Sequence, residues 1–284
     1  MKDNLNEFLS KNSAQILRNA KAKYQPDGKV SITVFNKPVF VPDGWERQDR
    51  GTLRRKGSEE QCSLTPRADN LRRAKNAVYE IAGANDWSYL VTLTLNAEKI
   101  DRYNAKEIVK PFTKWLHNQK TRNGLRYLII AEKHQDGAIH FHGLVNEALR
   151  LSDSGTVKVE GRKAPIKKAT AKKYGYDLND ETVCKTVYNI PGYNLGFSTA
   201  IKLDENKEAV SRYITKYVTK DFGKIFGKTY FAGGDGLRRA LDFSLHDLPY
   251  EDFTTKEYII QGFGAVKYIT MTKEDFEIYL KETA

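Results

Sequence analysis

The sequence predicts an α+β fold with a mainly antiparallel sheet. Between residues 69 and 145, patterns typical of helix and strand follow one another in the order helix, strand, helix, strand, strand. Asp136-Gly137 joins the last two strands, and this dipeptide is typical of tight hairpin turns. A hairpin together with a strand that is connected through a helix favours an α+β domain.

The first 68 residues are predicted to be an accessory region. Apolar residues at a spacing close to the helical period predict a helix over residues 3–24. Alternating apolar residues at 30–34 and 39–41, separated by Asn36-Lys37-Pro38, predict the two strands of a hairpin. Residues 45–67 are polar, strongly charged and contain glycine, which indicates an exposed connection.

Residues 69–245 are predicted to form the main domain. Helices are predicted at 69–82 and 103–119, and strands at 87–95, 125–131 and 197–203. Pro111 is expected to kink or restart the second helix. Residues 146–195 are interpreted as an insertion that carries its own hairpin, and 246–284 as a C-terminal extension.

The composition favours a partner with negative charge. The 284 residues carry a formal charge of +11 and include 16 tyrosines, several of them near basic residues. Basic grooves with stacking aromatic residues suit single-stranded nucleic acid, whereas the alternative is a solvated basic surface without a ligand. The candidate DNA-binding residues are Lys167, Lys168, Lys172, Lys173, Arg238 and Arg239.

Two features of the sequence predict a cytoplasmic protein without a membrane partner. It has no secretory signal and no run of about 18 apolar residues. Cys62 and Cys184 lie far apart and lack CxxC spacing, which is typical of free thiols in a reducing compartment.

Residues 131–145 contain a candidate metal site. His140 and His142 are two residues apart, so in a β-strand both imidazoles point to the same face. The turn at Asp136-Gly137 would place Glu132 beside them on the partner strand, and His134 could share its face. One carboxylate and two imidazoles can hold a divalent metal with open positions. The alternative is a pair of polar histidines without a ligand.

A helical pattern over residues 205–221 carries a second candidate set. Tyr213 and Tyr217 are four residues apart and lie on one helix face, with Lys216 and Lys220 beside them. An ammonium group near a phenol favours the phenolate, and it also stabilises the transition state of attack on a phosphodiester. Such an attack gives a covalent phosphotyrosine. The alternative is that the tyrosines only pack at the edge of the buried face.

Together these residues resemble the motifs of the HUH endonucleases, named for a histidine–hydrophobic–histidine motif. Within that family the likeness is to the two-tyrosine initiators of rolling-circle replication in phages and plasmids. Residues 90–94 resemble the first motif, His140-Phe141-His142 the metal motif, and residues 213–220 the tyrosine motif with its doubled Tyr-x-x-Lys. The three motifs occur in the family's order, and the likeness covers roughly residues 70–245.

The resemblance implies a five-stranded antiparallel sheet flanked by helices, with the histidines on a central strand and the tyrosine helix packed over it. It implies Mg²⁺ or Mn²⁺ bound by His140, His142 and Glu132, which stands where many members carry a third ligand. One tyrosine would cut single-stranded DNA at an origin, hold the 5′ phosphate and free a 3′ hydroxyl. The second would cut after one round, so that joining releases a circle.

The expected partners are origin DNA, a host polymerase and a host helicase in a bacterial cell. The segment from Gly223 to Thr229 has three residues between its glycines, where a phosphate-binding loop needs four, so no built-in ATP-driven helicase is predicted. A relaxase or transposase with the same chemistry, or a non-catalytic origin-binding protein, are the alternatives. Paired tyrosines favour replication over the first, and tyrosines together with histidines favour catalysis over the second.

Overall fold

The computed structural model describes residues 15–42, 68–218, 229–260 and 264–283. Its helices are α1 Ala68–Ala84, α2 Ala105–Asn123, α3 Lys168–Lys173, α4 Lys207–Thr215 and α5 Lys273–Glu282, with a 3-10 turn at Tyr250–Asp252. Its strands are β1 Gln15–Tyr24, β2 Lys29–Pro42, β3 Tyr89–Leu95, β4 Tyr127–Lys133, β5 Ile139–Val145, β6 Ser152–Val159, β7 Ile166–Lys167, β8 Cys184–Asn189, β9 Gly196–Lys202, β10 Phe231–Gly233, β11 Phe243–His246, β12 Glu257–Ile260 and β13 Gly264–Thr272. No helix in these ranges is long and apolar enough to cross a membrane.

The chain divides into two compact units. One is Ser63–Ala240, and the other combines Met1–Cys62 with Leu241–Ala284. The sequence interpretation treats the two ends of the chain as separate regions, whereas strands from both ends pair in one sheet of the second unit.

The larger unit contains an antiparallel sheet of eight strands in the order β10-β4-β5-β3-β9-β8-β6-β7. The predicted α+β class with an antiparallel sheet is confirmed, but the prediction of about five strands is wrong. Strands β6, β7 and β8 come from the segment interpreted as an insertion, and they extend the sheet beyond β9. The sheet is larger because this insertion pairs with it.

Helices cover both faces of the eight-stranded sheet. On one face α2 buries Ile108, Phe112 and Leu116 against the sheet. On the other face, α1 and α4 form a second apolar cluster with the sheet, to which Val78 and Ile214 contribute. These two clusters fix which side chains of each strand point towards each layer of helices.

Helix α2 runs without interruption through Pro111 from Ala105 to Asn123, so the predicted restart is wrong. Asn104 caps its start by accepting a hydrogen bond from the backbone N–H of Lys106. Proline removes one backbone hydrogen bond inside a helix. The buried residues on both sides of Pro111 keep the helix docked on the sheet and offset that loss.

The smaller unit contains a five-stranded antiparallel sheet in the order β11-β1-β2-β13-β12. Residues 15–24 of the predicted N-terminal helix form β1 instead, and residues 3–14 lie outside the described ranges. Ala20 and Ala22 are buried and alternate with residues that are less buried, a period of two that decides for a strand. The prediction followed the helical spacing of apolar residues further towards the N-terminus.

The strand β2 continues through residues 36–38, so the predicted hairpin at this point is also wrong. The hairpin lies earlier in the chain, because β1 and β2 pair across a turn that contains Asp27 and Gly28. Gly28 has a φ of 79°, a left-handed conformation that glycine adopts without strain. Helix α5 covers one face of this sheet with the fully buried side chain of Phe276.

Candidate active site

His140 and His142 lie on β5, which pairs with β3 on one side and β4 on the other. Alternation along the strand turns both imidazoles to one face of the sheet and Phe141 to the opposite face. Phe141 is fully buried, and its ring stacks on Phe112 of α2 with the centroids 3.8 Å apart. The core therefore fixes the register that turns both histidines towards one cleft.

Thr92 and Thr94 of β3 lie directly opposite the two histidines in the sheet. The Thr92 hydroxyl is 3.2 Å from Nδ1 of His142, and the Thr94 hydroxyl is 3.3 Å from Nδ1 of His140. Because a hydroxyl can both donate and accept, each threonine can hold its ring in either tautomer. This arrangement leaves the Nε2 atom of each ring for a partner in the cleft.

The predicted hairpin between β4 and β5 is confirmed, and it brings Glu132 beside the histidines. Glu132 pairs in register with His140, and its Oε2 lies 2.9 Å from Nε2 of His142. The turn is closed by a hydrogen bond from the N–H of Gly137 to the carbonyl of His134. Gly137 has a φ of 87°, which explains the glycine at this position.

Burial sets the protonation states of this cluster. It lowers the pKa of His142 to about 4, and the nearby His140 adds to the shift. Burial also lowers the pKa of His140 and raises the pKa of Glu132. The contact between His142 and Glu132 is therefore a hydrogen bond of a neutral imidazole rather than an ion pair. A neutral imidazole is the form that ligates a metal.

The three predicted ligands Glu132, His140 and His142 line one cleft. As placed, no three His, Cys, Asp or Glu side chains among the described residues are grouped to hold a metal ion. The kinds of donor nevertheless fit, because two imidazoles and one carboxylate bind divalent ions with open positions. Metal-ligating histidines also need a hydrogen-bond partner at their second nitrogen, and the two threonine hydroxyls of β3 are within reach of it.

The cleft has a volume of about 660 Å³. It is lined by Thr92, Thr94, Glu132, Lys133, His134, Gln135, His140, His142 and Tyr217. His134 stands at its exposed side, with its ring centroid 5.2 Å from that of His140 and its Nδ1 3.7 Å from Oδ1 of Asp136. It thus shares the cleft with the predicted ligands.

Helix α4 places the two tyrosines. It begins after Asn206, whose side chain accepts a hydrogen bond from the N–H of Ala209, and it ends at Thr215. The predicted helix over 205–221 is therefore too long. After Thr215 the chain makes tighter turns, in which the N–H of Tyr217 donates to the carbonyl of Ile214. Tyr213 lies in the last turn of the helix, and Tyr217 lies beyond it.

Tyr217 reaches the histidine cluster. Its ring stacks on the imidazole of His142 with centroids 3.9 Å apart and an interplanar angle of 15°. Tyr213 is 40% exposed, and its phenol oxygen lies 2.7 Å from that of Tyr217. Both phenols therefore stand together at the edge of the cleft, with Tyr217 next to the predicted metal ligands.

The phenol of Tyr217 is protonated in this arrangement. Its pKa is raised above the ordinary value by burial, then by the hydrogen bond to Tyr213, and further by the charge of Glu132. The predicted lysines do not counter this shift within the described residues. Lys216 Nζ lies 5.6 Å from the ring centroid of Tyr213, and Lys220 lies outside the described ranges. Attack by Tyr217 would require a cation or a base that is brought by the substrate complex.

Phe197 belongs to the same face of the sheet and was missed by the sequence interpretation. It pairs in register with Thr94, which itself pairs with His140, so the three side chains form one row across the sheet. Phe197 is 69% exposed. An aromatic residue in a strand normally indicates core, so only the cross-strand register could have identified it.

The predicted DNA-binding residues fall at opposite edges of the eight-stranded sheet. The four lysines lie on or next to α3, beyond β7, and Lys168 forms an ion pair with Asp153. Arg238 and Arg239 follow β10 at the other edge and are exposed. The order of strands puts the arginines near the histidine strand and the lysines about five strand spacings away, or roughly 24 Å.

Comparison with known proteins gives one match. No curated protein and no solved structure matches the chain. Residues 88–222, just under half of the chain, match the model of a family described as replication-associated protein ORF2. This segment contains His140, His142, Glu132 and both tyrosines. The match associates the chain with replication proteins and is consistent with a rolling-circle replication initiator.

Proposed function

We propose that the protein is a metal-dependent endonuclease and nucleotidyl transferase that nicks single-stranded DNA at a replication origin through a tyrosine. The observation that carries the proposal is the stacking of Tyr217 on His142. Two residues far apart in the sequence, one a potential nucleophile and one a potential metal ligand, meet in one cleft. The match to replication-associated proteins supports DNA as the substrate.

In the proposed reaction, a phenol oxygen of Tyr213 or Tyr217 attacks the phosphorus of a phosphodiester. A bond forms between that oxygen and phosphorus, and the bond from phosphorus to the 3′ oxygen breaks. The phenol gives up its proton and the leaving 3′ oxygen takes one up, so the 5′ phosphate stays on tyrosine and a 3′ hydroxyl is freed. Covalent attachment divides the transfer into two easier steps.

A divalent ion, Mg²⁺ or Mn²⁺, would polarise the scissile phosphate as a Lewis acid in this reaction. His140, His142 and Glu132 would hold it. Because imidazole is a better ligand for transition metals than for Mg²⁺, this donor set favours Mn²⁺. Lys216 and Lys220 would add positive charge beside the phenols.

The two tyrosines would divide the work of a replication round. One would hold the 5′ end while a host polymerase extends the 3′ hydroxyl and a host helicase opens the duplex. The other would attack the regenerated origin, and joining would then release a circle. The 2.7 Å separation of the phenol oxygens lets both reach one phosphate position in turn.

The open part of the sheet face offers a track for the DNA strand. Phe197 can stack on a base two strands from His140, since base stacking on an exposed aromatic ring tolerates any sequence. Arg238 and Arg239 at the near edge and the lysines of α3 at the far edge can contact phosphates. Phosphate contacts of this kind weaken with salt.

The test is the formation of a covalent adduct. The protein is incubated with end-labelled single-stranded origin DNA and Mg²⁺ or Mn²⁺, and the products are separated on a denaturing gel. We expect a protein–DNA band that requires the metal and disappears in the double variant Tyr213→Phe, Tyr217→Phe. Phenylalanine removes only the nucleophilic oxygen and keeps the stacking.

The matched control is Tyr174→Phe, an exposed tyrosine that lies next to α3 and outside the cleft. It should form the adduct as the natural sequence does. If origin DNA from the protein's own element gives no adduct at all, the chain is a DNA-binding protein without this chemistry. If the double variant still forms one, another residue is the nucleophile.

A further inference from the structure

The five-stranded sheet of the smaller unit has two very different faces. Val30, Ile32 and Val34 of β2 point to one face and are buried with Phe276 of α5. By alternation, the residues between them point to the other face. That second face, here called the open face, is built from the outward residues of β11, β1, β2 and β13.

The register of the strands arranges the open face in two rows. One row is Leu245, Lys21, Thr33 and Tyr268, and the next is Phe243, Lys23, Ser31 and Thr270. Each row has one aromatic ring at one end, a lysine and a hydroxyl in the middle, and no acidic residue. Such a pattern is unlike the second face of an ordinary sheet, where charges of both signs are mixed.

The aromatic rings of the open face are exposed. Phe243 is 45% and Tyr268 is 51% accessible. Tyr258 of the neighbouring edge strand β12 is 46% accessible and packs edge-on against Tyr268, with ring centroids 5.6 Å apart. Phe243 and Tyr268 are separated by three strand spacings, roughly 14 Å.

Positive charge lies directly beside these rings. Lys21 Nζ stands 4.0 Å from the ring centroid of Phe243, and Lys256 Nζ stands 5.3 Å from that of Tyr258. An ammonium in this position supports one face of the ring and leaves the rest of it accessible. Phe243 and Tyr258 are therefore each paired with a group that attracts phosphate.

We propose that the open face binds single-stranded DNA, independently of the cleft that contains the histidines. Bases would stack on Phe243 and Tyr268, while Lys21 and Lys23 between them would contact the backbone phosphates. Sheets that present aromatic rings among basic residues bind single strands in this way. The proposal goes beyond the nicking reaction, because it gives the chain a second DNA contact without any chemistry.

A second copy of the chain fits this face less well. In a symmetric contact the open face would meet itself, which would bring the lysines of both copies together. Like charges at the centre of an interface are costly. The phosphates of a single strand instead complement Lys21 and Lys23.

The experiment measures the affinity for a dye-labelled oligothymidylate of about 20 nucleotides by fluorescence anisotropy. Chelator is present, so that no covalent adduct forms. The double variant Phe243→Ala, Tyr268→Ala should bind at least about fivefold more weakly, since each stacked base contributes roughly that factor or more. The matched control Ile278→Ala removes an exposed apolar side chain from α5 and should leave the affinity unchanged.

A second variant keeps the test decisive if loss of the rings disturbs folding. Lys21→Gln with Lys23→Gln should reduce the slope of log affinity against log salt by about two, one for each lost phosphate contact. Photocrosslinking with 5-iodouracil DNA should label peptides that contain Phe243 or Tyr268. Unchanged affinity and salt slope, or crosslinks confined to Ser63–Ala240, would overturn the proposal.

Two further outcomes are informative. If the ring variant changes a dimer into a monomer while DNA affinity stays the same, the open face is a contact between copies and the proposal is wrong. Adduct formation at saturating origin DNA should persist in the ring variant. Absence of adducts from the unsubstituted protein would instead count against the proposed nicking function and leave the binding result intact.

Discussion

The two units of this chain each present a sheet face with exposed aromatic and polar side chains, but the two faces differ in chemistry. In the larger unit the face carries imidazoles, a carboxylate and two phenols around a cleft beside α4. In the smaller unit it carries phenyl and phenol rings, lysines and hydroxyls, with no acidic residue in the two rows. The first set can bind a metal and attack phosphorus, whereas the second can only hold a strand.

This difference shows what turns a binding surface into a candidate catalytic one. Both faces include a threonine paired across strands, but only Thr92 and Thr94 stand opposite histidines. Both faces have exposed tyrosines, but only Tyr217 stacks on a potential metal ligand. The predictions below test this division, from the largest expected effect to the smallest.

Loss of a metal ligand should separate chemistry from binding. His140→Ala is expected to lower the rate of adduct formation more than about a hundredfold, because removing even a residue that only supports a metal ligand typically costs about 10- to 100-fold. The affinity for single-stranded DNA should stay within about twofold, since the aromatic rings and basic residues are untouched. Gel assays and anisotropy titrations measure the two quantities.

His117→Ala is the control for this variant, because His117 is exposed on α2 and lies outside the cleft. It should be neutral in both assays. Equal loss of adduct formation and of DNA binding in His140→Ala would mean that the histidine has a structural role rather than a metal-binding one.

Removing one hydroxyl should weaken metal binding alone. Thr92→Val takes away the partner of His142 Nδ1 at nearly constant volume. We expect the metal concentration at half-maximal adduct formation to rise about 10- to 100-fold, with the maximal rate largely restored at high metal. Thr270→Val in the smaller unit is the matched control. A lower maximal rate at unchanged metal dependence would contradict this role.

Acid should destabilise the metal-free larger unit through His142. Its pKa is about 4 in the folded protein and about 6.5 in an unfolded chain. Because the unfolded chain binds the proton more readily, this contribution is fully present above pH 6.5 and is lost progressively as the pH falls towards 4. Between about pH 7 and pH 5 the loss is about 2 kcal/mol.

Urea unfolding of the natural protein and of His142→Gln at both pH values, in the presence of chelator, measures this difference. The variant should lose about 2 kcal/mol less on acidification. An equal loss in both proteins would show that other groups account for the acid sensitivity.

Stacking residues of the two faces should behave differently in catalysis. Phe197→Ala should raise the DNA concentration at half-maximal rate about fivefold, which corresponds to about 1 kcal/mol for one exposed stacked base. It should also lower the rate at saturating DNA if the ring positions the strand near His140. Phe243→Ala should change only the affinity. Identical effects of both variants would remove the distinction between the two faces.

Local signals made much of the candidate site predictable. The spacing of His140 and His142, the Asp136-Gly137 turn and the β-branched strand patterns together placed Glu132 opposite His140. These signals lie within one short stretch of the chain, so no long-range information was needed. Helices α1 and α2 were predictable for the same reason, because their apolar faces repeat at the helical period.

Features that depend on contacts between distant residues were not predictable. Pairing of β1 with β11 and of β2 with β13 joins the two ends of the chain, and no sequence pattern encodes a partner so far away. The end of α4 at Thr215 also escaped prediction, since Tyr217 and Val218 continue the helical spacing although the backbone tightens there. The cross-strand neighbours Thr94 and Phe197 appear only once the register is known.

The hairpin between β4 and β5 makes the length of its turn more critical than its composition. Insertion or deletion of one residue between Lys133 and Ile139 would shift the register by one and turn Phe141 into the cleft. The same shift would drive both imidazoles into the apolar layer against α2. Metal site and core would be lost together, so such an indel is tolerated only when a second, compensating one restores the count.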